Sequence, residues 1–132
     1  MSHLTSPFNV LDFAKKWSLF LTNDLSGGRH GFDILSTNLI KDSYMWKMAY
    51  AWATNIDITF TSSHTVQSFT NETISNFIIY NNNAFSCDVY LEKNMNVARI
   101  GAQTDKMHER LYFVFLDNSW KLVNMQAITG SK

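Results

Sequence analysis

Cysteine, proline, glycine and charge are all scarce in this chain: 132 residues carry one Cys, one Pro and five Gly, with 17% charged residues. A single thiol, Cys87, excludes an intrachain disulfide and a thiolate zinc cluster, and leaves the redox compartment open. The charged fraction lies below the roughly 25% usual for soluble domains, the net charge is zero, and Lys and Arg are scattered. That argues against nucleic acid or an anionic membrane surface as a partner. No apolar run approaches the roughly 18 residues needed to span a bilayer, and "MSHLTSPFNV" lacks the basic and then apolar order of a signal peptide. The abrupt start and the end in "TGSK" suggest a piece of a longer, membrane-anchored protein, in which membrane contact would come only through a segment outside this chain.

What is present is apolar and aromatic. A hydrophobic content of 45% over this length supports one core, so residues 1–132 are expected to form a single domain. Ser6 before Pro7 suits a helix start, and Val10, Ala14, Trp17 and Leu21, flanked by Phe13 and Phe20, recur at helical spacing. This predicts a helix from about Pro7 to Asn23, ended by the glycine-rich "SGGRHG". "FDILSTNLI" fits a second, shorter helix. A third is expected from Asp42 or Ser43, with Tyr44, Met48 and Trp52 on its buried stripe and Met45 and Ala49 beside it.

After Asn55 the period changes from 3.6 to 2. "IDITF" puts Ile56, Ile58 and Phe60 on one face and Asp57 and Thr59 on the other. "TSSHTVQSFTNET" reads as an exposed strand pair, "SNFIIY" as a strand, and Asn81 to Asn83 as a turn. "AFSCDVYLE" alternates with Phe85, Cys87, Val89 and Leu91 inward. A loop is expected from Lys93 to about Lys106, followed by a hairpin, "RLYFVFLDNSWKLVNMQAI", turning at "DNS". The first strand of that hairpin is apolar on both faces: Leu111, Phe113 and Phe115 on one, Tyr112, Val114 and Leu116 on the other. Such a strand needs cover on both sides, from a sheet curved around the helices or from a second protein. The predicted class is α+β, helices first and an antiparallel meander after.

This layout, with the paired "YFVFLDNSWKLVNM", resembles the nuclear transport factor 2-like superfamily. The matching positions are Asp117, Trp120, Lys121, Leu122, Val123 and Met125 of the last hairpin. The resemblance implies three N-terminal helices in the concave face of a strongly curved, mostly antiparallel sheet, a cone. "FSCDVYLEKNM" and "NSWKLVNM" are further similar to extracellular, membrane-anchored proteins of Firmicutes.

The superfamily hosts enzymes, binders and assembly parts alike, so function must come from the site. Asp57 and Asp88 fall opposite the inward residues. His64 shares the parity of Ile58 and Phe60, and with Cys87 and Trp46 is a candidate to line a pocket. A lone histidine on such a face more often holds a structural hydrogen bond than acts as a base, and Cys87 has no histidine near it in the pattern to activate it. His108 and Arg110 share the Tyr112 face and could bind an anion there; a solvated strand end is the commoner reading. "GGRHG" with His30 lacks the strand, lysine and helix context of a phosphate loop. Arg110, Tyr112, Val114 and Leu116 form the candidate interface, on a face the resemblance implies for dimers. No catalytic residue, metal or cofactor is assigned. The leading expectation is a non-catalytic extracellular or cell-envelope domain for interaction or assembly, through a protein partner or a homodimer on the sheet face. An apolar-ligand binder or cone-pocket enzyme, an assembly domain of a conjugative or type IV secretion machine, and a cytoplasmic location stay open.

Overall fold

A computed structural model describes residues 8–22, 32–55 and 64–129. Two helices, α1 (Val10–Thr22) and α3 (Tyr44–Asn55), flank a single turn, α2 (Phe32–Leu35), that tightens into a 3₁₀ turn at Ser36–Asn38. Four antiparallel strands follow in the order of the chain: β1 (His64–Asn81), β2 (Ala84–Val97), β3 (Gly101–Leu116) and β4 (Ser119–Ala127). The expected α+β class is the observed one. The expected second helix, though, makes one α turn only. Ser6, Pro7, the "SGGRHG" segment with His30, and the Ile56–Phe60 stretch with Asp57 lie outside the described residues.

Asn9 starts α1, its side-chain oxygen accepting from the Asp12 amide at 2.9 Å. Val10, Phe13, Ala14, Trp17 and Phe20 then fall on the buried face, while Leu21 is exposed. Ser43 caps α3 through the Trp46 amide. Its buried stripe is Met45 and Ala49, with Tyr44 and Met48 turned to water. This corrects the expected stripe: nearly every position of "YMWKMAYAWA" is apolar, so periodicity alone does not choose a face.

The core lies between these helices and one face of the sheet, where Phe85, Cys87, Val89, Leu91, Leu111, Phe113, Trp120 and Leu122 are buried. Phe113 is the aromatic hub, meeting Phe8, Phe13 and Phe85 with ring centroids 5.1, 5.8 and 5.2 Å away. Each such side chain contributes about 1.5–3 kcal/mol by leaving water. A parallel bridge from Leu39 to Leu122, and the Asn38 amide donating to the Trp120 carbonyl at 2.8 Å, tie the segment after α2 to the β4 edge.

Two strand assignments change. The expected exposed strand pair and "SNFIIY" are one continuous 18-residue strand, β1. The expected loop from Lys93 to Lys106 is instead the extension of β2 and β3, which pair without interruption from Ala84 with Val114 to Val97 with Gly101. The turn at Asp117 and Asn118 is as expected, both residues at positive φ (54° and 65°), the geometry of the tight hairpin turn that Asn and Asp tolerate.

Candidate functional site

β1 is an edge strand, and its shape is set by two asparagines. Asn71 and Asn76 hold left-handed φ of 55° and 49° at points where the pairing with β2 slips. Asparagine tolerates that backbone better than most residues. Each also uses its amide: Asn71 donates to Glu92 and Asn76 to Asp88, both at 2.7 Å. The bulges are therefore pinned to carboxylates four residues apart on β2, and they bend the edge.

On both sides of the Asn76 bulge the strand is apolar on both faces. Ile74, Phe77, Ile78, Ile79 and Tyr80 are each 41–56% exposed. Phe77 stacks on Phe85 at 4.8 Å and 14° on the helix side, whereas Ile78 pairs with Ser86 on the opposite side. From Thr73 to Asn81 there is no charged residue, proline or glycine. The outer backbone groups of β1 have no partner strand among the described residues. Native edges are normally blunted by charge, proline or a covering segment.

A cleft of about 870 Å³ opens beside this edge, between the first turns of α1 and the sheet. Phe8, Phe13, Ile74, Phe77, Phe85 and Trp120 make its apolar wall. Its titratable groups are Asp12 and Lys16, which pair with one another at 2.9 Å. Among the described residues no histidine or cysteine lines it.

The face of the sheet away from the helices carries a different arrangement. Asp88, on the face opposite the inward residues as expected, is buried there: Arg110 grips it with Nε at 2.7 Å and Nη2 at 3.1 Å while Asn76 adds a third donor. The Arg110 hydrogen bonds hold the Asp88 carboxyl below its ordinary range, against the opposing effect of burial, with Asn76 helping. The Tyr90 hydroxyl donates to Glu92, which with the Asn71 amide keeps that carboxyl low as well. His108 packs edge-on against Tyr90 at 5.6 Å. These groups satisfy one another.

The sequence-predicted residues are thus dispersed. Cys87 is fully buried in the core, and burial, then the Asp88 charge, raises its thiol to about 11. Trp46 is half-buried on α3, stacked on Tyr50 at 5.1 Å with Phe32 edge-on to it. His64 begins β1 opposite Val97; its side chain is outside the described residues. Arg110, Tyr112, Val114 and Leu116 do share one face, but Arg110 is committed to Asp88 and the Tyr112 hydroxyl donates to Gln126. Tyr112 and Val114 are half-buried by their neighbours across the sheet, and Leu116 is exposed. The exposed apolar side chains gather on β1, which the sequence reading divided in two. An uncharged run with five large apolar residues in seven positions, from Ile74 to Tyr80, is the signal that finds it.

Among the described residues no helix is long and apolar enough to cross a membrane, and no three His, Cys, Asp or Glu residues are grouped to hold a metal. No family model matches the chain, and no curated protein matches it. Among solved structures it is similar to the crystal structure of the intermembrane space region of the chloroplast protein ARC6, with a TM-score of 0.55 and 11% identity over 90% of this chain and 93% of that one; a likeness so distant in sequence extends to the fold alone.

Proposed function

We propose that this chain is a non-catalytic interaction domain of a cell-envelope protein, built on a nuclear transport factor 2-like cone, and that it meets its partner along the free edge of β1. The observation that carries the interaction reading is the uncharged, two-sided apolar stretch from Ile74 to Tyr80 on an edge that no strand among the described residues pairs. A partner strand laid there gains backbone hydrogen bonds from the edge and side-chain burial on both sides. On the helix side its residues reach the aromatic cleft beside Ile74 and Phe77. Helices packed against one face of a bulged antiparallel meander support the cone, and the envelope location rests on the resemblance of the last hairpin.

The test places a photo-reactive amino acid at Ile79, and separately at Asn118 in the β3–β4 turn, in the full-length protein in its own cells. A discrete adduct from Ile79 and none from Asn118 is the expected result. The same pattern from neither site, or only from Asn118, overturns the reading. Protease added to intact cells tests the location: a domain that resists digestion until the cells are lysed is not on the surface.

A further inference from the structure

The apolar part of β1 is bounded by two register slips, one at Asn76 and one at Tyr80, where Ile79 pairs with Phe85 but Asn81 with Ala84. Between them Phe77 and Ile79 face the helices, because Ile79 pairs with the inward Phe85, and Ile78 faces outward beside Ser86. The Tyr80 hydroxyl meets the Ser86 hydroxyl at 2.8 Å, which keeps that ring on the outer face as well. No charge falls between Glu72, which Lys15 of α1 pairs, and Asp88. The other edges among the described residues differ. Leu39 bridges Leu122 on the outer side of β4, and Asn38, Ser119 and Lys121 bond across the same seam. The part of β3 that β4 does not reach carries Asp105 and Lys106, charges of the kind that deter strand addition.

We propose, taking the β1 edge as the docking site, that the strand laid on it is β1 of a second copy of this chain, antiparallel about a two-fold axis at Ile78. Ile78 then meets its own counterpart on the outer face, Phe77 meets the other copy's Ile79 on the helix side, and Asn76 meets the other copy's Tyr80. Apolar side chains face apolar ones at the centre and no like charges are opposed, which is what a self-complementary edge requires. Phe77 lines the cleft beside α1, so Ile79 of the other copy covers that opening. Among the described residues β1 is the one apolar free edge, so two copies can offer each other only the same strand and the contact closes as a pair. Addition of β1 to β4 of another copy, which would run on into a filament, meets the Leu39 seam. Ile74, Phe77, Ile78, Ile79 and Tyr80, each near half exposed, bring on the order of 500 Å² a side, or about 1,000 Å² for the pair, the lower bound of a specific interface. An association of that size depends on concentration, and a copy of the chain is present wherever the chain is.

Two full-length copies with different epitope tags, produced together in the protein's own cells, test it, the photo-reactive amino acid standing at Ile79 of one of them. The expected adduct carries both tags and has twice the mass of one chain. An adduct joining a single tagged copy to a different protein overturns the second copy as partner and leaves the edge reading intact, whereas no adduct at Ile79 overturns both. The axis is tested by cysteine substitution, for which the buried Cys87 is a silent background. Ile78→Cys is expected to form a disulfide-linked dimer under mild oxidation. Ser75→Cys should form none, since it stands roughly 20 Å from its counterpart at about 3.3 Å per residue, beyond the reach of a disulfide. An Ile78→Cys protein that stays unlinked, or a Ser75→Cys protein that links as readily, overturns the two-fold arrangement. Both positions are on an exposed edge, and if either variant fails to fold the tagged adduct decides alone.

Discussion

Cys87 sits under α1 with no exposed surface, and burial keeps its proton on, so it should behave as a reporter of opening rather than as a reagent. In native buffer at pH 8 a thiol-specific disulfide reagent is expected to label it at the rate of unfolding and no faster; immediate labelling would contradict its burial. Asp88 makes a second residue-scale prediction. Its folded-state pKa is lowered, so its contribution to stability is present above its ordinary pKa of 3.8 and lost as pH falls through the lower folded value. Asp88→Asn should therefore melt several degrees below wild type at pH 7, with the gap closing below about pH 4. A gap independent of pH would mean that the pairing with Arg110 contributes little. Parity in the sequence gave the face of Asp88 correctly. It could not give its burial, because that depends on a bidentate arginine from the next strand and an asparagine brought over by a bulge. Lys93, buried under α1, was hidden by the opposite error: ending β2 at Glu92, five residues short of Val97, removed it from the inward series it belongs to.

At the scale of elements the hydrophobic pattern was most readable where one face is dry and the other wet. The β3–β4 turn and the inward set of β2 follow that rule, and so does α1. It was least readable at the far ends of β2 and β3, where residues 102–106 are exposed and no burial imposes a two-residue period. β1 misled for a related reason, since repeated register slips along it, among them those at Asn71 and Asn76, break the alternation that would mark a single strand. α3 misled because its apolar residues surround it. Phe113 tests the strand assignment directly. Buried against three other phenylalanines, its replacement by alanine should cost about 3–5 kcal/mol in denaturant unfolding. A loss below about 1 kcal/mol would mean that the hub is not packed as described.

For the whole molecule, the distribution of exposed apolar surface separates two possible association faces. If β1 governs association, Ile79→Lys should lower the apparent mass in light scattering, or abolish the adducts seen from β1, while Val114→Lys leaves both unchanged. The reverse pattern would place the interface on the Tyr112 face instead, where the sequence first suggested it. The fold class and the last hairpin could be read in advance because both rest on local pattern; the association face could not, since it emerges from which strand is left at the edge. The same meander has a consequence for synthesis. Its strands pair in chain order and close by successive hairpins, yet the side chains that finish the roof over α1, Trp120 and Leu122, lie in β4, about 100 residues after Phe13. At a translation rate of about 5–20 residues per second, the apolar stripe of α1 waits roughly 5–20 seconds outside the ribosome before its cover exists. A nascent chain stopped before Ser119 should remain a chaperone client, and only release of the final hairpin lets the first helix settle.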